Sequence, residues 1–267
     1  MFKRFFIACF YLGLISSINI HASEWSVNEI HITHGELNNP FSDSFASSST
    51  TIITYQHVSG WEYGDSFIMV DYIDDDNNDG FNDDDFYHES YFNFSSNKIF
   101  DIDYGNGPLS DVGMFLGVNI AGRAKVKKFL PGIRLSWDVP GFSFLNTDAG
   151  GYIDHSAGSL KGGAPKEENS AYFDVSWGYP FTLGNQKFSL EGHIEYITGR
   201  DVLVDGDSKV RAHDWLLIQP QLRWDVGHAL YNKPDQFFIG FEFQYWKNKL
   251  GGNKSEREAQ FLAVWRM

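Results

Sequence analysis

Ionisable and aromatic residues recur at every second position in several stretches of this chain. Asp65, Phe67 and Asp71 share one parity, and Tyr87, Glu89 and Tyr91 share another. Arg134 with Asp138, Tyr172 with Asp174, Glu191 with Glu195, Arg223 with Asp225, and Glu242 follow the same rule further on. In extended backbone successive side chains point to opposite faces, so residues two apart lie side by side. A face that mixes phenol rings with carboxylates and guanidinium groups can stack on a flat solute and hydrogen-bond its hydroxyl or amide groups. Tyr87 beside Glu89, across from Asp71, is the pairing best suited to that chemistry. The competing reading is that these charges pair with one another and brace the fold, because a charge removed from water must be partnered.

A second constellation is acidic. Residues 74–85 read DDDNNDGFNDDD. Asp75, Asn77, Asp79 and Gly80 fit the opening D-x-N-x-D-G of a calcium loop, in which alternate oxygens and a turn glycine surround the ion. The twelfth position is Phe86 rather than the bidentate Glu, and no helical pattern flanks the stretch. A solvated acidic loop and a Ca²⁺ site at Asp75, Asn77 and Asp79 are both compatible with it. No other cofactor is expected.

Catalytic constellations are weak. The chain has neither a G-x-S-x-G elbow nor an H-E-x-x-H run, and the nearest approaches are His88-Glu89-Ser90 and His193 with Glu195. Nucleophilic catalysis requires a nucleophile and a base held together and oriented by a third group. The expectation is a non-enzyme, with a barrel enzyme acting on lipid as the least favoured reading.

The elements that carry these residues repeat with a period of two. Val112, Met114, Leu116, Val118 and Ile120 oppose Asp111, Gly113, Gly117 and Asn119. Ile133, Leu135 and Trp137 oppose Arg134, Ser136 and Asp138, while Phe188, Leu190, Ile194 and Tyr196 oppose Ser189, Glu191, His193 and Glu195. Trp215, Ile218, Leu222 and Trp224, with Leu216 or Leu217, form the apolar face opposite Gln219, Gln221, Arg223 and Asp225. Phe237, Ile239, Phe241, Phe243 and Tyr245 oppose Gly240, Glu242 and Gln244. About twelve such segments can be placed, at 25–33, 50–58, 65–73, 86–94, 111–121, 129–138, 142–153, 170–179, 187–198, 213–225, 236–247 and 258–267. Most have the length of a tilted strand that crosses a hydrocarbon layer. Residues 34–49, 74–85, 122–128, 154–169, 199–212 and 248–257 then become outside loops, whereas 95–110 and 226–235 are long for inner turns. The pattern predicts an all-β fold: an antiparallel transmembrane β-barrel of the Gram-negative outer-membrane type. A soluble β-sandwich shares the alternation, but charges repeated on the polar face of strand after strand suit a water-filled lumen.

Composition agrees. The chain is 17% aromatic, yet its mean hydropathy is only −0.32 and no long apolar run follows the N-terminus. At the start, Lys3 and Arg4 precede an apolar stretch from Phe5 to Ile20, and Ile20-His21-Ala22 offers a small-residue cleavage site. Residues 1–22 therefore read as a cleaved signal peptide and 23–267 as a single barrel domain, with an uncleaved anchor as the alternative. Two of the 21 Lys and Arg residues lie in that leader, which leaves 19 against 35 acidic residues in the mature segment. That excess excludes the basic footprint of a nucleic-acid binder and favours cations in any pore. Cys9, the single cysteine, also falls in the leader, so the mature segment has no disulfide or thiolate metal site. The last residues place Phe261, Ala263, Trp265 and Met267 on one face, with Gln260 and Arg266 on the other. A closing amphipathic strand of this kind is what outer-membrane assembly machinery reads, although the usual final residue is aromatic. Outer-membrane lipid and lipopolysaccharide are the other expected partners.

Several segments resemble the Tsx-type family of nucleoside-specific channels, which also holds the OmpK-type proteins that vibriophages use as receptors. They are 51–71, 86–93, 129–145, 217–230 and 237–250, with the Gly60-Trp61-Glu62-Tyr63-Gly64-Asp65 and Tyr245-Trp246-Lys247-Asn248-Lys249 runs the most specific. The resemblance implies a twelve-stranded barrel with a narrow aromatic and ionisable pore, and passive uptake of nucleosides. It assigns no nucleoside contact to any one residue. A closed barrel that binds phage or other surface ligands without flux is the alternative it leaves open.

Overall fold

A computed structural model describes residues 23–42, 44–204 and 208–267. The signal-peptide reading lies outside the described residues. Twelve strands close into one antiparallel barrel: β1 (Trp25–Asn38), β2 (Ser47–Trp61), β3 (Gly64–Asp75), β4 (Asp85–Ser95), β5 (Leu109–Ala121), β6 (Val126–Trp137), β7 (Phe144–Asp154), β9 (Ser170–Leu183), β10 (Gln186–Ile197), β13 (Trp215–Asp225), β14 (Phe237–Lys247) and β15 (Glu256–Arg266). β15 pairs with β1 from Glu29↔Arg266 to His34↔Phe261, so the barrel has no free edge. The three short strands between these, β8 (Lys166–Glu167), β11 (Arg200–Val204) and β12 (Ser208–Ala212), form a separate small sheet.

The residue-by-residue alternation is obeyed. Met114, Leu116, Ile133, Leu222, Phe241 and Phe261 point away from the barrel and are exposed. Arg134, Asp148, Asp174, Glu195, Arg223 and Glu242 point inward and are buried. An exposed apolar band around a polar interior is stable only where the band meets hydrocarbon. Aromatic pairs flank it: Tyr72–Phe86 near one rim, with ring centroids 5.2 Å apart, and Phe237–Trp265 near the other, 6.3 Å apart. Such girdles sit at the membrane interfaces of transmembrane barrels.

The two ends differ. Both described termini lie at the end closed by the short connections 62–63, 138–143 and 184–185, the periplasmic arrangement of such barrels. Gly184 takes a φ of +60° in one of the two-residue turns, a conformation that side chains other than glycine rarely adopt. The two connections that seemed too long for inner turns contain short helices. They are α1 (Ser96–Phe100), capped by the Ser95 hydroxyl accepting from the Lys98 amide, and α2 (Val226–Tyr231), capped by Asp225 accepting from His228.

Three expectations need correction. Residues 154–169 and 199–212 are not plain outside loops, because they contribute β8, β11 and β12, with Arg200↔Ala212 and Val202↔Glu167 in register. Strand pairing also invades the predicted loop 34–49, since β1 runs to Asn38 and β2 begins at Ser47. Finally, Trp215 does not belong to the outward face of its strand. It is 4% exposed and turned inward with Leu217, while Leu216 and Ile218 face out. Four apolar residues in succession masked the phase of β13 there.

A barrel held by this many inter-strand bonds resists SDS until heated. A chain of residues 23–267, folded in detergent or lipid, is expected to migrate faster unheated than boiled on SDS gels and to give a β-type circular dichroism spectrum. A species that stays folded and monodisperse in plain buffer contradicts the lipid-facing assignment.

Candidate lumen site

All eleven lumen candidates face the barrel interior, but they separate into two groups. Near the periplasmic end, Arg134 donates from Nε and Nη2 to Asp148 at 2.8 Å each and from Nη1 to Asp65 at 3.0 Å. Arg223 lies 3.1 Å from Glu191 and 3.2 Å from Glu29, and Glu29 also accepts from Arg266 at 2.6 Å. For Asp65, Arg134, Glu191 and Arg223 the bracing reading therefore accounts for the geometry. A cavity of about 530 Å³ opens at this end beside Glu191, Asp225, Asp235 and Arg266, remote from the second group.

The second group lies in the outer half of the lumen. The Tyr87 hydroxyl donates to Glu89 Oε1 at 2.7 Å, and Asn119 Nδ2 reaches both groups at 3.1 Å. Asp71 is the register partner of Tyr87, as the alternation requires, and accepts from the Thr54 hydroxyl at 2.6 Å. Across the lumen, Asp174 Oδ2 lies 3.0 Å from His193 Nδ1. The other His193 nitrogen meets Gln219 Oε1 at 3.3 Å, and Gln219 Nε2 donates to Glu242 at 2.7 Å. Glu242 also accepts from Gln221 and Gln260. Pro220, which has no amide hydrogen to pair, interrupts the β13–β14 ladder between Ile218↔Tyr245 and Gln221↔Glu242. Gln219 and Gln221, on either side of it, both turn to the one carboxylate.

Rings run through this group. Phe67 stacks on Tyr91 at 5.8 Å, Tyr91 leans on Phe115 at 5.3 Å, and Phe115 stacks on Tyr172 at 6.1 Å. A second file joins Tyr152, Trp215 and Trp246 at 6.0 and 6.1 Å. The buried rings Phe115, Tyr152, Tyr172 and Trp215 belong to one cluster with Leu130 and Ile197, and Tyr91 and Trp246 pack against it. Gly117 makes the first file possible, because a Cβ there would stand 2.7 Å from the Tyr91 ring.

Above the rings, the small outer sheet is tied to the barrel wall by ions. Arg200 donates to both oxygens of Glu167 at 2.7 and 2.8 Å. Lys128 bridges Glu167 and Asp154 at 2.5 and 2.9 Å. The Arg200 guanidinium lies 4.4 Å from the centroid of Trp215. Parity placed Asn119 on the polar face of its strand, and continuing the inward phase of β6 would have added Lys128. Glu167 and Arg200 come from segments with no alternation to read. His193 was visible on the polar face of its strand and as half of a weak catalytic pattern, and its partners are Asp174 and Gln219 rather than a nucleophile.

The acidic loop turns its oxygens toward its own backbone. Asp75 accepts from the Asn77 amide at 3.0 Å, Asp83 from Gly80 at 2.9 Å and Asp79 from Phe81 at 3.1 Å. The other Asp79 oxygen accepts from Asn39 at 2.8 Å, which pins the loop to the β1–β2 connection. Burial holds the Asp75 carboxyl above its ordinary range, and the neighbouring charges of Asp79, Asp83 and Asp74 add to that rise. Among the described residues no three His, Cys, Asp or Glu side chains are arranged to hold a metal ion.

No protein-family model matches the chain, and no curated protein matches it. Solved structures do. An outer membrane channel from Pseudomonas putida F1 is similar over 94% of this chain and 100% of its own, with a TM-score of 0.52 at 9% identity. The NanC porin covers 89% of this chain and 100% of its own at 14% identity and a TM-score of 0.48. The KdgM porin covers 89% and 98% at 8% identity and 0.45. The first of these likenesses shows the fold, that of an outer-membrane β-barrel.

Proposed function

We propose that this barrel is an outer-membrane channel for passive uptake of nucleosides or similar small polar solutes, held briefly at a site in the outer half of the lumen. The observation that carries this reading is the juxtaposition of the Phe67–Tyr91–Phe115–Tyr172 ring file with the hydrogen-bonded Tyr87–Glu89–Asn119 group. Rings offer a heterocycle a stacking surface, and the carboxylate and amide groups beside them offer hydroxyls and exocyclic amines their partners. The Tsx-like segments favour nucleosides within that class. The outer membrane channel from Pseudomonas putida F1, which has the same fold, favours passage over a closed barrel. Binding in such a pore must be weak, because a tightly held solute cannot leave.

Current through single channels in a planar bilayer tests this. Adenosine or thymidine should partially block the open pore at sub-millimolar to millimolar concentration. Tyr87→Ala or Glu89→Gln should weaken block by about 1–2 kcal/mol, or roughly five- to thirtyfold, the range for losing one stacked ring or one charged hydrogen bond. Open channels whose current is indifferent to nucleosides up to solubility remove the nucleoside assignment. Bilayers that show no channel events at all favour the surface-receptor alternative.

A further inference from the structure

The outer-half lumen is one-sided in charge. Asp71, Glu89, Asp174, Glu195 and Glu242 come from five different strands. Register and hydrogen bonds bring them together: Asp71 is the register partner of Tyr87, which donates to Glu89, and Glu195 is the register partner of Asp174, whose contact His193 reaches Glu242 through Gln219. Their hydrogen-bond partners include Thr54, Tyr87, Tyr91, Asn119, Trp215, Gln219, Gln221, Gln260 and one basic group, His193. The remaining lumen charges are matched locally: Arg134 by Asp65 and Asp148, Arg223 by Glu29 and Glu191, Lys128 and Arg200 by Glu167.

Two orphan acceptors stand among these acids. Asn119 is 3% exposed and Gln260 is fully buried, and each gives its amide NH₂ to a carboxylate, Glu89 and Glu242 respectively. Their carbonyl oxygens, Asn119 Oδ1 and Gln260 Oε1, have no partner among the described residues. An ionised carboxylate and an amide oxygen can only accept, so what this wall lacks is a donor.

Space and rings complete the site. The His193 side chain is 34% exposed although it points inward, and Asp71, Tyr87, Glu89 and Gln219 are likewise only half-buried, which places open lumen beside them. The Tyr87 hydroxyl donates to Glu89 at 2.7 Å and the Trp215 indole to Glu195 at 3.1 Å, so an aromatic side chain stands beside each acid. The carboxylates are spread around the wall and no three converge as metal ligands do. Dispersed negative charge with aromatic faces suits a bulky ammonium better than a bare metal ion.

We infer that this band binds organic cations, specifically a protonated amine carried on an aromatic or hydroxylated frame, between the Glu89 and Glu195 carboxylates and against the Tyr87 ring. The inference rests on the channel reading above and narrows the solute class.

Tyramine and tyrosol, which differ by an ammonium in place of a hydroxyl, are the probes. Each is titrated into open channels of the full mature protein in a planar bilayer at pH 6, with adenosine as a third arm. Tyramine should half-block at a concentration about tenfold or more below that of tyrosol, the advantage expected when an ammonium meets a desolvated ring and an acid together. Glu195→Gln and Glu89→Gln should each cut that advantage by about threefold or more, with the heat-shifted gel mobility of each variant reporting its folding. Equal block by tyramine and tyrosol overturns the inference, and needs no variant. So does a tyramine advantage that both variants retain, since the cation would then bind elsewhere. Adenosine block without a tyramine advantage leaves the nucleoside reading standing and removes this one. A tyramine advantage that the variants lose, without adenosine block, does the reverse.

Discussion

Replacing Arg134 by Met should destabilise the barrel by about 3–5 kcal/mol, the cost typical of removing one partner from a buried ion pair. Arg134 holds Asp148 in a two-pronged contact and Asp65 through its third nitrogen, while its guanidinium covers the Phe115 ring at 5.1 Å. Asp148 is 5% exposed, so without the guanidinium its carboxylate is left buried and unneutralised. Urea titrations of barrel inserted in lipid vesicles, followed by tryptophan emission, measure the change. Adding Asp148→Leu to Arg134→Met should recover much of the loss, because a well-packed apolar pair often replaces a buried ion pair at little cost. If Arg134→Met lies within about 1 kcal/mol of wild type, the contact behaves as a solvated surface pair and the bracing role is wrong.

Leu116→Arg should cost about 2–4 kcal/mol in the same assay, the penalty for a cation on the lipid face near the bilayer midplane. Leu116 sits in the middle of β5 between Phe92 and Pro131, 41% exposed and pointing out of the barrel. Water would tolerate an arginine there and hydrocarbon does not, so the size of the effect reports which solvent the face meets. Leu160→Arg is the control. It is fully exposed in the outer connection between β7 and β8 and should change stability by no more than about 0.5 kcal/mol. Equal costs at the two positions would mean that β5 is not facing lipid.

The phase of most strands was legible from types alone. Met114, Leu116, Ile133, Leu190, Phe241 and Phe261 are outward as their spacing requires, and each lumen candidate is inward. Period-two alternation is robust because a slip of one residue would put every charge of a strand into lipid. Where a strand offered no contrast, its phase could not be read. Trp215, Leu216, Leu217 and Ile218 are all apolar, and only packing of Trp215 against Tyr152 and Arg200 turns the odd positions inward. The outer sheet was illegible for a different reason. β8 has two residues and reaches β11 across more than thirty residues of sequence, as Val202 does with Glu167, and the β11–β12 hairpin has only five residues a strand, so no local pattern announces them.

The candidate site divides along the same line. Local spacing was enough to put Tyr87, Glu89 and Tyr91 on one face of a strand, and the chain's acid excess was enough to predict a cation-favouring interior. Which inward residues brace the wall and which remain open to solute is a property of closure. Asp65 meets Arg134 from a strand three positions away around the barrel, and Glu29 meets Arg223 from the opposite end of the chain. Those pairs exist because closing β15 on β1 brings distant strands to a shared interior, where a charge finds whichever partner stands opposite. The sequence by itself determined the alternation, and with it the barrel and its two faces, because that information is local to each strand. Only the tertiary structure decided that Arg134 and Arg223 are spent in ion pairs while Glu89 and His193 line open lumen, because burial and pairing depend on what lies across the barrel.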